Sequence, residues 1–157
     1  MNSLKHIRWD ESNGTAHNAR IQLPAVVAAY YARVRETIGG KTKDSEFHAL
    51  RVLTKRVRYA LELFRACYGP GLRVRLAALR HLQQLLGEVS DCAAAAKVLV
   101  QCETKNSVQR RRLDQFLMER KIEKIDHFRR FWTREFDAPG KEQWWTGYLA
   151  RHTGRKR

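Results

Sequence analysis

The residues best suited to chemistry lie in one run, Phe47 to Phe64, which reads F-H-A-L-R-V-L-T-K-R-V-R-Y-A-L-E-L-F. Along it His48, Arg51, Lys55, Arg58, Tyr59 and Glu62 recur at steps of mostly three or four, which lines side chains up on one helix face. Four of those six are basic, and cations held this close repel one another. Glu62 is the one acid on the face to relieve them. An extended polyanion lying along the stripe would relieve them as well. The implied chemistry is electrostatic recognition rather than bond making. The bland alternative is a solvated cationic face, but such faces usually interleave both signs.

The remainder of that run is apolar at helical spacing. Leu50, Leu53, Val57, Ala60, Leu61 and Phe64 fall within one arc opposite the stripe, which predicts an amphipathic helix that packs on a core. Asp44 or Ser45 is placed to cap it, and it should run to about Cys67 before the break Tyr68-Gly69-Pro70-Gly71.

The rest of the chain reads the same way. Residues 1–16 have no apolar period and form a lead-in. From about His17 to Ile38 the pattern is helical, with Ile21, Leu23, Val27, Ala28, Tyr31, Val34 and Ile38 as core candidates. Pro24 either sits in the first turn of a helix starting near Leu23 or kinks a longer one, and Gly39-Gly40 closes it. Leu72 to Leu86 makes a leucine seam that Gly87 should end. Ser90 or Asp91 would then cap a short helix of C-A-A-A-A-K-V-L-V. Asn106 or Ser107 caps a long pattern from Val108 to about Phe136, carrying Leu113, Phe116, Ile122, Ile125, Phe128 and Trp132. After Asp137-Ala138-Pro139-Gly140 a last amphipathic piece bears Trp144, Trp145, Tyr148 and Leu149. The domain spans 17–152, and 153–157 is a basic tail. With no β-alternating run, the fold expected is all-α, an elongated antiparallel helical bundle.

Composition narrows the partners. The chain has 157 residues, 31 Lys plus Arg against 16 Asp plus Glu, and a formal charge of +15. Such an excess points to nucleic acid, polyphosphate or an anionic surface, and the preponderance of Arg favours phosphate, whose oxygens the guanidinium fork contacts in pairs. Apolar content of 43% supports a packed core. Three cysteines without a C-x-x-C pair suggest neither a disulfide framework nor zinc. No signal peptide is seen, and no apolar stretch reaches the roughly 18 residues of a membrane span. A cytoplasmic protein without a membrane partner is expected.

Enzymatic readings are weak. No metal is expected at His48, because no carboxylate or second histidine follows at i+3 or i+4. There is no G-x-x-x-x-G-K phosphate loop and no E-x-E-x-K, so an enzyme of phosphate metabolism is the least favoured reading, and no cofactor is expected. A nucleic-acid binder is the main alternative to a polyphosphate binder, although no helix-turn-helix, zinc-finger or RNA-binding signature occurs. Arg80 could face the same groove as the stripe or lie on the surface. Arg110 to Arg112 with Arg129, Arg130 and Arg134 could extend a basic track.

The stripe resembles the CHAD family of conserved-histidine helical domains. The resemblance is carried by H-x-x-R-x-x-x-K-R-x-R-Y-x-L-E-L-F from His48 to Phe64, then Y-G-P-G-L, then L-x-x-L-Q-x-x-L-G-x-x-x-D from Leu79 to Asp91. It covers roughly residues 17–103. The resemblance implies a helical bundle that binds inorganic polyphosphate in a basic groove, with no catalysis and with targeting to polyphosphate granules as a role. It further implies His48, Arg51, Lys55 and Arg58 as ligands, followed by Arg56 and Tyr59. Members of that family usually hold two copies of the helical unit, whereas this chain has one, of the second-half type. His17-Asn18-Ala19-Arg20 echoes the motif only by chance, with Pro24 where the lysine should be. A homodimer would supply the missing half.

Overall fold

The computed structural model describes residues 10–101 and 108–151. Five helices run through them: α1 (Thr15–Ile38), α2 (Asp44–Leu63), α3 (Gly71–Gln101), α4 (Val108–Phe131) and α5 (Lys141–Arg151). A 3₁₀ turn, Arg65–Cys67, precedes α3, and a π-helical turn, Trp132–Phe136, follows α4. No strand occurs among the described residues. The fold is all-α, as expected, with α3 packed between α2 and α4, and α1 against α2 and α5.

The core is the sum of the apolar arcs. Leu23, Val27, Tyr31 and Val34 of α1, Leu50, Val57 and Leu61 of α2, and the leucines of α3 are all buried. Ile21, expected in the core, is instead 58% exposed, because α1 begins at Thr15 and presents Asn18, Ala19 and Leu23 inward. Part of the lead-in is held in place. The Asn18 amide accepts from the Asp10 N–H at 2.9 Å and donates to the Asp10 and Asn13 carbonyls at 2.9 and 3.0 Å.

An aromatic cluster joins the two ends of the chain. Tyr30 and Tyr31 pack edge-on or tilted against Trp132 and Phe136, and Phe136 against Trp145. The π-helical turn gives it this shape. The Asp137 N–H reaches the Trp132 carbonyl at 2.7 Å, one residue further than an α-helix would. Tyr31 Oη then donates to the Phe136 carbonyl at 2.7 Å. Buried Thr54 is satisfied by Tyr30 Oη at 2.9 Å and by the Leu50 carbonyl at 2.8 Å.

Two boundaries differ from the expectations, and at Pro24 the longer of the two expected helices is the one found. Pro24 lies inside α1, where it withholds one ladder bond from the Arg20 carbonyl while the buried residues around it keep the helix continuous. Asp44 opens the first turn of α2 rather than capping it, and the Glu46 carboxylate accepts the Lys43 N–H at 2.7 Å. The predicted break at Gly87 does not occur. α3 runs 31 residues, about 46 Å. Leu82, Leu85, Leu86 and Val89 continue the buried register across the glycine, whose φ is not positive. Packing on both sides outweighs the roughly 1 kcal/mol that glycine costs in a helix. The expected caps Asn106 and Ser107, and Cys102, lie outside the described residues.

Two glycines are constrained by their surroundings. A Cβ on Gly71 would sit 2.8 Å from the Tyr148 ring, so only glycine fits where α5 crosses the start of α3. Gly140, with φ of 81°, makes the turn before α5.

The outer part of the α3–α4 hairpin is less buried than its apolar pattern suggests. Phe128 is the one buried residue of α4, and Leu113, Phe116 and Ile122 are exposed. Among the described residues α3 is the helix that packs most on α4, and it leaves these side chains uncovered.

Candidate functional site

α2 offers its apolar arc to the core, which turns the stripe outward and against α3. Between the two helices lies an open groove of about 500 Å³. Arg51 and Arg58 line it from α2; Arg80, Gln83, Gln84 and Gly87 line it from α3, with Glu88 and Asp91 toward one end. Arg80 thus faces the groove. His48, Lys55 and Tyr59 are exposed on the outer flank of the same α2 arc. Arg56 is also exposed, about 60° round the helix from Tyr59 and about 140° from Arg51, so it lies on the outer flank away from the groove.

The cations are ordered by a few contacts. Glu62 is the clamp, taking Arg58 at 2.7 Å and Arg80 at 3.0 Å on the same carboxylate oxygen. Partial burial alone would raise the Glu62 carboxyl, but the hydrogen bonds from Arg80 and Arg58 outweigh it and hold the group below its ordinary value. Arg58 Nε donates to Gln83 Oε1 at 2.9 Å, so its fork is fixed across the two helices. Lys55 Nζ and the Arg58 guanidinium lie 5.5 and 4.4 Å from the Tyr59 ring centroid, within cation–π range. Among the described residues, His48, Arg51, Lys55 and Arg56 form no ion pair.

The spacing puts Glu62 on the stripe without making it a ligand, and it does not point to Gln83. Glu62 reads as a mitigating charge, yet it orders Arg58 and Arg80. Gln83 reads as part of a leucine pattern, yet it fixes Arg58. The one trace in the sequence is that Gln83 and Gly87 stand one turn apart, which puts both on the side of α3 toward α2. The acids at the far end limit the basic surface. Glu88 is paired with Lys124 at 2.9 Å, and that hydrogen bond first of all holds its carboxyl low.

Gly87 is the floor of the groove, and the Arg51 side chain passes over it. A Cβ there would meet only Arg51 Nε, at 3.7 Å, an ordinary contact. Gly87→Ala is therefore expected to raise stability by about 0.5–1 kcal/mol, and the melting temperature by about 2–4 °C. A thermal melt that falls instead would show that α3 needs the glycine.

Among the described residues no group of His, Cys, Asp and Glu could hold a metal ion. Cys67 and Cys92 are free thiols. No described helix is long and apolar enough to cross a membrane. The arrangement can order cations beside an open groove.

Neither a curated protein nor a solved structure matches the chain. The family model of the CHAD domain matches residues 3–100, which takes in the stripe, the groove and nearly all of α3. Members of that family are commonly associated with binding polyphosphate and are generally non-catalytic. On this match, the chain belongs to the CHAD domain family.

Proposed function

We propose that this protein binds inorganic polyphosphate, without catalysis, along the α2 face and the groove beside it. The observation that carries the reading is the row His48, Arg51 and Lys55, without counter-charges among the described residues, next to Arg58 and Arg80, both held by one carboxylate oxygen. Repulsion among these groups is relieved when consecutive phosphates replace the small ions around them. The guanidinium forks contact phosphate oxygens in pairs, while Lys55 acts as a point charge. The binding would carry the protein to polyphosphate granules.

A second copy of the chain would give the ligand a second stripe. The apolar residues left exposed on the outer hairpin support pairing: Val100, Leu113, Phe116, Met118 and Ile122 would be covered by a partner of the same kind.

The test is a titration with long-chain polyphosphate across a salt series, paired with mass in solution. Affinity should fall with salt by about one log–log unit per contacted cation, and the mass should be that of two chains. Polyphosphate should displace nucleic acid at a lower phosphate concentration than the reverse. Salt-insensitive binding, or displacement of polyphosphate by nucleic acid, would count against the reading. A stable monomer that still binds tightly would remove the dimer.

A further inference from the structure

α3 has a second cavity on its other flank. Arg80 and Gln84 line the groove toward α2, and the next residue in each case, His81 and Leu85, lines a cavity toward α4. Consecutive helical residues point about 100° apart with Cα atoms about 3.8 Å apart, so the two cavities lie on either side of one exposed ridge of α3. This second cavity, about 370 Å³, is walled by His81, His127, Arg130, Arg134, Phe131 and Glu135. Four of those side chains carry or can acquire positive charge, against one carboxylate. Among the described residues neither Arg130 nor Arg134 has an ion-pair partner, and Arg130 Nε makes only a long bond, 3.4 Å, to the Asp126 carbonyl. His81 is positioned by edge-on packing on Phe131, with centroids 4.5 Å apart.

We infer that this His81–His127–Arg130–Arg134 cavity is a second phosphate-binding site, strengthened by protonation of its two histidines. The inference rests on the polyphosphate reading, and adds a subsite off the basic stripe that the family match does not assign. Arg130 and Arg134 supply permanent charge. Imidazoles ordinarily titrate near 6.5, within reach of a modest pH change. The charged groups around them are of both signs: Arg130, Arg134 and Glu135 line the cavity, and Glu88, close to His127, is paired with Lys124. A phosphate entering the cavity tips this balance toward the imidazolium. By linkage, affinity must rise as pH falls through the imidazole range and decline above it. The two cavities can then hold separate segments of one polyphosphate chain on either side of the α3 ridge.

The experiment measures long-chain polyphosphate affinity of the full chain at about pH 8 and about pH 6, where imidazole passes from neutral to charged. The wild type should gain about 10- to 25-fold, since each of two added charges at a water-exposed contact is a factor of about five. His81→Gln/His127→Gln should lose most of that gain. His17→Gln, which is exposed and lines neither cavity, should keep the gain. Arg134→Gln should weaken binding at both pH values and reduce the salt slope by about one. Should a variant misfold by circular dichroism, the wild-type imidazole resonances of His81 and His127 can be followed with tripolyphosphate, and their midpoints should move up. An unchanged pH gain in a folded double variant, or unmoved midpoints, overturns this site alone. No polyphosphate binding by the wild type at either pH overturns the reading beneath it.

Discussion

Replacing Arg51, Lys55 and Arg80 together with Gln is expected to weaken polyphosphate binding at low salt by about 10²–10³-fold. The salt slope should fall by about three. Each of the three has an exposed side chain and lies on the stripe or the groove. Each lost phosphate contact removes about 1 kcal/mol of Coulomb attraction at a solvated site, and the losses compound along one ligand. Arg58 is left in place deliberately. Its side chain is only 14% exposed and is tied to Glu62 and Gln83, so removing it would disturb the α2–α3 contact as well as the ligand. A matched variant, Arg33→Gln/Lys41→Gln/Arg111→Gln, removes the same charge away from both cavities. If binding tracked net charge alone, both variants would weaken equally, and the groove would not be the site. A fold check by circular dichroism should show both variants native, because none of these side chains enters the core.

The second large effect concerns stability. Arg75 is 4% exposed and has no carboxylate partner among the described residues. Its guanidinium is sandwiched instead between the Trp144 and Tyr148 rings, at 3.4 and 3.8 Å from their centroids. It donates to the Trp144 carbonyl at 2.5 Å and to the Gly71 carbonyl at 3.1 Å, while Nε is left without an acceptor. Burial pushes the group down to about 10, which still leaves it charged at neutral pH. Two effects therefore oppose each other: a charge held out of water without a counter-ion, and a stacked cation that pins α5 to α3. Loss of the stacking and the packing should win, because truncation also opens a gap between two large rings. Arg75→Ala should cost about 3 kcal/mol and lower the melting temperature by about 10 °C. Arg75→Met keeps a side chain between the rings and should recover about half. A neutral or stabilising alanine would mean that charge burial dominates, as it does in some buried ion pairs.

Much of this was readable in advance from local spacing. The 3.6-residue period converts sequence separation into a helix face without reference to anything else in the chain. For that reason the stripe, the core arc of α2 and the leucine seam of α3 all sit where the periods put them. The boundaries at Gly87 and Pro24 were less legible. Breakers act through local cost, about 1 kcal/mol for glycine and about 3 kcal/mol for proline. Burial of neighbouring leucines, valines and tyrosines outweighs that cost, and nothing in a short window reveals how deeply those neighbours will pack.

The division is clearest at the groove that the stripe faces. Which residues of α2 are basic, and that they align, follows from one segment of chain and the geometry of a helix. That Arg58 meets Gln83, that Glu62 binds Arg58 and Arg80 at once, and that Arg51 lies over Gly87 depends on how α2 and α3 are set against each other. The pairs that cross from α2 to α3 are 18 to 36 residues apart in the chain. The His81–His127 cavity and the Arg75 sandwich depend on contacts of the same long-range kind. A helical period states which residues share a face, but not which face of another helix lies opposite. That choice is made by the packing of all five helices at once.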